Sequence, residues 1–158
     1  MILIRQHKDA FVFQLAARER LLLLELLKGY PQTPPGQRLV SKNKQLPDQA
    51  TSQRLLEEAL AEQRAENRLQ LSALVNDSKR WKEEQKHWTL KLSSSDLEWL
   101  LQVLNDIRVG SWVQLGSPER WSDMITPEKA PRVWTMELAG AFQMAFLHAL
   151  EGGDKQEV

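Results

Sequence analysis

The stretch HWTLKLSSSDLEWLLQVLNDIRVGSWVQLG, His87–Gly116, decides how the chain is read. Its opening residues alternate poorly but favour extended backbone, so HWTLKLS reads as a short extended piece. The serine run that follows is a hydroxyl cap, with Glu98 placed to complete it, and a helix begins there. About 100° per residue puts Leu97, Leu100, Leu104, Ile107 and Ser111 on one core-facing stripe, with Glu98, Gln102 and Asn105 opposite. Gly116 stops the helix after Leu115. Three polar residues, Asn105, Asp106 and Arg108, sit in the middle of this apolar run and are the candidate polar cluster.

Helical geometry sends Asp106 and Arg108 to different sides, so each needs a partner on another element. Arg18, Arg20 or Arg132 would suit Asp106, and Glu19, Glu25 or Glu137 would suit Arg108. That arrangement either fixes how neighbouring helices dock or presents a polar contact surface to a partner. Asn105 has no evident structural partner and is the one of the three to choose for a function. No nucleophile or base accompanies them.

Upstream, ILIRQH and AFVFQL flank Lys8-Asp9 and read as an N-terminal β-hairpin. A helix follows from about Ala17 to Lys28, stopped by Gly29 and Pro31. Residues 30–49, rich in proline, form an internal flexible loop. From about Ala50 to Lys86 the pattern is helical and highly charged, with acids and bases in balance. Its narrow stripe is Leu56, Leu60, Asn67, Leu71, Leu74, Ser78 and Trp81, with Asn76-Asp77 as a break. Such a helix projects into solvent or meets a second subunit. Ser117-Pro118-Glu119 starts a short turn, and a last helix runs from about Pro131 to Glu151. Residues 154–158 form a disordered tail. No internal repeat is apparent.

The fold expectation is therefore mainly α: a helical bundle-like domain of four to five helices, residues 1–153, with a short N-terminal β-hairpin. Gly110, Gly140, Ala141, Ala145 and Ala149 are small residues suited to close helix packing. The sharper alternative is a ligand crevice between the 95–115 helix and the C-terminal helix, lined by Phe142, Met144 and Phe146.

Bulk composition narrows the function classes. Lys plus Arg and Asp plus Glu both number 21 across 158 residues, so no net field attracts a polyanion and nucleic acid is an unlikely partner. Cysteine is absent, which removes disulfides, thiolate metal sites and a cysteine nucleophile together, and suits a reducing interior. Charges at Arg5, Lys8 and Asp9 break any signal-like apolar run, and no window suits a membrane span, so the expectation is a cytoplasmic protein. No HExxH, GxSxG, GxxxxGK[ST] or GxGxxG motif occurs. Among His7, His87 and His148, only His148 with Glu151 has a metal-like helical spacing, and one such pair is weak. No catalytic residue, cofactor site or metal site is assigned. Of six tryptophans, Trp81 and Trp88 are the two expected to be exposed or to meet a second subunit, which makes a homodimer one form of partner.

The run LSSSDLEWLLQVLNDIRVGSWVQLG resembles the signature region of an uncharacterised bacterial family, domain of unknown function two-thousand-seventeen. The carrying residues are Trp99-Leu100, Leu104-Asn105-Asp106, Arg108 and Leu115-Gly116. ARERLLLLELL resembles that family's opening helix, and EEALAEQRAENR loosely resembles its middle one. The resemblance implies a small cytoplasmic helical protein with no established activity. It also implies a link to proteostasis, because family members lie in genomes beside the adaptor of the Clp protease. The function expected is non-enzymatic, through protein–protein contacts.

Overall fold

A computed structural model describes residues 1–32 and 49–153. In chain order the elements are β1 (Ile2–His7), β2 (Ala10–Ala16), α1 (Ala17–Lys28), α2 (Gln49–Asn76), β3 (Trp81–Glu84), β4 (His87–Ser93), α3 (Ser94–Gln114) and α4 (Ala130–Gly153). A single 3-10 turn, Trp121–Met124, precedes α4. Most of the loop expected at 30–49 and the tail expected at 154–158 lie outside the described residues.

The strands form one antiparallel sheet in the order β1-β2-β4-β3. This corrects the expectation of a helical bundle with a hairpin: the described residues carry a four-stranded sheet together with four helices, an α+β arrangement. The helix expected to run to Lys86 ends at Asn76, and Trp81–Glu84 turns back as a strand. Four residues are too few to display an alternation, and Lys82, Glu83 and Glu84 are better helix formers than strand formers. Pairing with β4 overrides that preference, through Trp81 opposite Leu90 and Glu84 opposite His87.

The sheet buries one face. Phe11, Phe13 and Leu15 of β2 alternate inward, joined by Leu90 and Leu92 of β4, and all five are buried. Helices cover them: Leu23, Leu26 and Leu27 from α1, Leu97, Leu100, Val103, Leu104 and Ile107 from α3, and Phe142 and Phe146 from α4. Phe146 meets Phe13 edge-on, with ring centroids 5.2 Å apart, the arrangement that aromatic quadrupoles favour.

A repeat also emerges that the sequence does not announce. β2 pairs with β4 so that Ala10 faces Ser93 and Ala16 faces His87, with Phe13 opposite Leu90 at the centre. Exchanging the two strands leaves this register unchanged, which defines a pseudo-twofold through the Phe13–Leu90 pair. Each strand follows a two-residue hairpin loop whose first residue has positive φ, 52° at Lys8 and 36° at Gln85. Each runs without a break into a helix. The described chain thus contains two ββα units, β1-β2-α1 and β3-β4-α3.

Both helices begin with an acid at the third position that turns back on its own cap. Glu19 accepts from the Ala16 amide at 3.0 Å, and Asp96 accepts from the Ser93 amide at 2.9 Å. Ser93 completes the box by accepting from the Asp96 amide at 3.0 Å, which Ala16 cannot do. A cation sits against each acid, the N-terminal ammonium on Glu19 and Arg80 on Asp96.

Candidate functional site

Asn105, Asp106 and Arg108 lie on α3 where it packs against α4. The two helices run antiparallel. Gln143 donates to Asn105 Oδ1 at 3.5 Å, and one turn later the Arg108 side chain crosses α4 at Gly140. A Cβ added at Gly140 would stand 3.7 Å from Arg108 Cδ, an ordinary contact, so the arginine stem packs over this position without requiring a glycine. Arg108 Nη2 donates to Asn105 Oδ1 at 2.9 Å. Asn105 therefore has the structural partners it lacked on paper: one carbonyl oxygen gathers Arg108 from its own helix and Gln143 from the next.

Asp106 points elsewhere, toward α2. Crowding by neighbouring elements strips water from its carboxyl and raises its pKa, and the positive charge of Arg64 offsets only part of that. Among the described residues Asp106 makes no ion pair with Arg18, Arg20 or Arg132, and the positive charge acting on it is that of Arg64 on α2. Arg108 makes no ion pair among the described residues, with Glu19, Glu25, Glu137 or any other acid. The three residues do not converge on one point.

The tryptophans are redistributed relative to expectation. Trp81 is 6% exposed and donates its indole N–H to the Leu74 carbonyl at 3.1 Å. As the first residue of β3 it faces the core. Trp88 is half-buried beneath Arg20, whose guanidinium carbon stands 3.9 Å above the ring centre and 5.3 Å from that of Trp81. The exposed indoles are others: Trp112, Trp121 and Trp134.

One of these, Trp112, borders the α3–α4 seam, and Trp134 stands on the outer side of α4. On α3 the solvent stripe is Gln102, Asn105, Val109 and Trp112; on α4 it is Trp134, Glu137, Ala141, Met144 and His148. Asn105 and Arg108 meet Gln143 and Gly140 along the line between the stripes, so both open onto one surface. Val109 is 41% exposed, Trp112 40%, Trp134 60% and Met144 51%. Trp112 holds its indole by donating to the Pro118 carbonyl at 3.2 Å. The face interleaves the apolar Val109, Trp112, Ala141 and Met144 with the polar Gln102, Glu137, His148 and the Asn105–Arg108 pair.

Other polar groupings serve the architecture. Arg80 donates to Asp77 at 3.2 Å and also to Asp96, which pins the turn after α2 to the start of α3. Hydrogen bonding to Asp96 holds the guanidinium charged more firmly than usual, against a smaller cost of burial. Burial pushes the Asp96 carboxyl upward, yet Arg80 and the Ser93 amide and hydroxyl bring it below the ordinary carboxylate range. The cleft beside them, about 280 Å³, is lined by Asp9, Asp77 and Asp96 with Lys79, Arg80 and Lys91, so its charges balance.

A buried network escaped the sequence reading. Asn67 of α2 donates to the Tyr30 hydroxyl at 2.9 Å and accepts from the Trp99 indole at 3.0 Å. It joins the end of α1, α2 and α3 at one amide. A lone asparagine on an otherwise leucine stripe was the available signal. Among the described residues no group of three His, Asp or Glu side chains is arranged to hold a metal, and His148 and Glu151 are both exposed. No described helix is long and apolar enough to cross a membrane.

Against known protein families, curated proteins and solved structures, the chain has no match.

Proposed function

We propose that this protein acts non-enzymatically, through contacts with another protein, and that the α3–α4 face is its contact surface. The observation that carries the reading is the exposure of four large apolar side chains, Val109, Trp112, Trp134 and Met144, on two helices that already pack firmly on the sheet. Tryptophan and methionine concentrate binding energy at interfaces, and apolar surface rimmed by polar groups marks interaction sites. The first half of α2 adds a second exposed region: Leu55 and Leu56 are open to solvent, and burial along the helix begins only at Asn67. A homodimer is one form such contacts take.

The resemblance of Trp99–Gly116 to domain of unknown function two-thousand-seventeen supports a bacterial, cytoplasmic setting and a link to proteostasis. The alternative, a ligand crevice between α3 and α4, has less support. Gly140 there receives the Arg108 stem, and Ala139, Phe142 and Ala149 are buried in packing.

The test is light scattering with size exclusion, together with affinity capture from the native cell, on wild type and on Trp134→Glu/Met144→Glu. Both positions are exposed, so the fold should be retained. The proposal expects a self-associated species or a specifically retained protein in wild type that the double variant loses. A monomer that retains nothing, or a partner retained equally by the variant, refutes it.

A further inference from the structure

The groove between α1 and the second half of α2 lies away from the α3–α4 face and is independent of the contact reading. It encloses about 440 Å³, within the size range of small-molecule sites. Its floor is apolar: Leu27 and Tyr30 from the end of α1, Leu71 and Val75 from α2. Leu27, Tyr30 and Leu71 are buried members of the core, so the floor is held rigidly from behind. Asn67 fixes the Tyr30 hydroxyl at 2.9 Å.

The rim is one-signed. Lys28 and Arg68 line the groove with the neutral side chains of Ser72 and Asn76, and among the described residues no carboxylate does. Helix carbonyls do not consume these cations. The Leu26 and Leu27 carbonyls of α1 accept from the amides of Gly29 and Tyr30, and near the end of α2 the Asn76 side-chain amide donates to the Ser72 carbonyl at 2.9 Å. Among the described residues Lys28 has a single partner, Glu25 at 3.3 Å, in an exposed pair of the kind that contributes little. Arg68 makes no ion pair among the described residues. An arginine and a lysine over a leucine and valine floor are complementary to an acidic head on an apolar tail.

We propose that the α1–α2 groove binds a small organic anion with an aliphatic tail, the tail on Leu71 and Val75 and the acid at Arg68 and Lys28. Each methylene removed from water adds to affinity, and the charge-assisted bond to arginine fixes orientation.

The test is an NMR titration of the full chain at fixed ionic strength with octanoate, butanoate and octylammonium. Octanoate is expected to shift the Leu71 and Val75 methyl signals and the Ser72 amide. Butanoate should bind at least tenfold more weakly, and octylammonium should not produce these shifts. Arg68→Gln should weaken octanoate by about tenfold or more. Ser72 is exposed, so Ser72→Phe fills the groove without touching the core and should abolish binding. Failure of octanoate to shift the groove signals overturns the proposal. So does equal binding of octylammonium, or unchanged affinity in Arg68→Gln or Ser72→Phe. None of these outcomes involves Trp134 or Met144, so this inference and the contact surface fail separately.

Discussion

The two ββα units share a frame and differ in what fills it. Leu23 and Leu100 occupy equivalent positions, as do Leu27 and Leu104, and all four are buried. One turn nearer each helix start the equivalence fails. The β3-β4-α3 unit has Leu97, fully buried; the β1-β2-α1 unit has Arg20, lying across Trp88 and Trp81. The same backbone position is core in one half and a cation–aromatic lid in the other. The two tryptophans supply the difference, because indole faces attract a guanidinium whose aliphatic stem can still cover apolar surface.

Exchanging the two side chains breaks this comparison most sharply, and the expected effects are unequal. Leu97→Arg buries a guanidinium with no partner and should unfold the domain or cost more than about 4 kcal/mol by urea denaturation. Arg20→Leu loses a cation–aromatic contact of about 0.5–2 kcal/mol. It also removes the Arg20 Nε, which is buried without a hydrogen-bond partner. The net loss should stay within about 1 kcal/mol. Comparable costs for the two variants would show that the two halves are not built on the equivalence described.

The helix starts give a smaller contrast. Asp96 has the reciprocal serine box and Arg80, whereas Glu19 has the amide of Ala16 and the terminal ammonium. Asp96→Ala should cost about 1–2 kcal/mol and Glu19→Ala about half that. Both acids follow the same sign with pH. Burial pushes Glu19 upward, and the terminal ammonium and the Ala16 amide bring it lower still, as Arg80 and Ser93 do for Asp96. Each then stabilises the fold above the ordinary carboxylate pKa, near 4, and that contribution disappears as pH falls through the folded value. Asp106 runs the other way: its raised pKa is a penalty at neutral pH that acid relieves. Denaturation between about pH 6 and 2.5 should therefore show a flatter acid decline in Asp96→Asn than in wild type, and in Asp106→Asn a steeper one. Identical slopes in all three would remove these carboxylates from the account.

How much of this was legible before the fold was known depends on element length. α1 and α3 were readable because each is long enough to show a 3.6-residue period and ends in a glycine or a cap. The first hairpin was readable because ILIRQH and AFVFQL are rich in β-branched and aromatic residues, despite a Lys8-Asp9 loop with neither glycine nor asparagine. The second was not: β3 carries one core-facing tryptophan and three helix-forming residues, and its loop is Gln85-Lys86, with neither glycine nor asparagine. Missing β3 concealed the sheet, and with the sheet the repeat. At the candidate site, periodicity correctly separated Asp106 from Arg108. It could not supply Arg64 or Gln143, whose approach depends on how α2 and α4 dock. Exposure of Trp112 and Trp134 was equally hidden, since it depends on how α3 and α4 sit on the sheet and on each other.

The two hairpin loops offer the finest comparison. Lys8 and Gln85 occupy the same place in each unit and both hold positive φ, where an L side chain costs about 1–2 kcal/mol. Glycine removes that cost but loses about 0.5–1 kcal/mol through the greater freedom of the unfolded chain. Lys8→Gly and Gln85→Gly should each stabilise by about 0.5 kcal/mol, a rise in Tm of about 1–2 °C for a chain of this size. Neither side chain donates or accepts a hydrogen bond among the described residues, so the substitution isolates the backbone. Matched gains at both loops would tie the turns to the pseudo-twofold as equivalent parts. A gain at Gln85 with a loss at Lys8 would separate them. It would show that the β1–β2 hairpin, at whose far end the terminal ammonium meets Glu19, answers to different constraints from its counterpart.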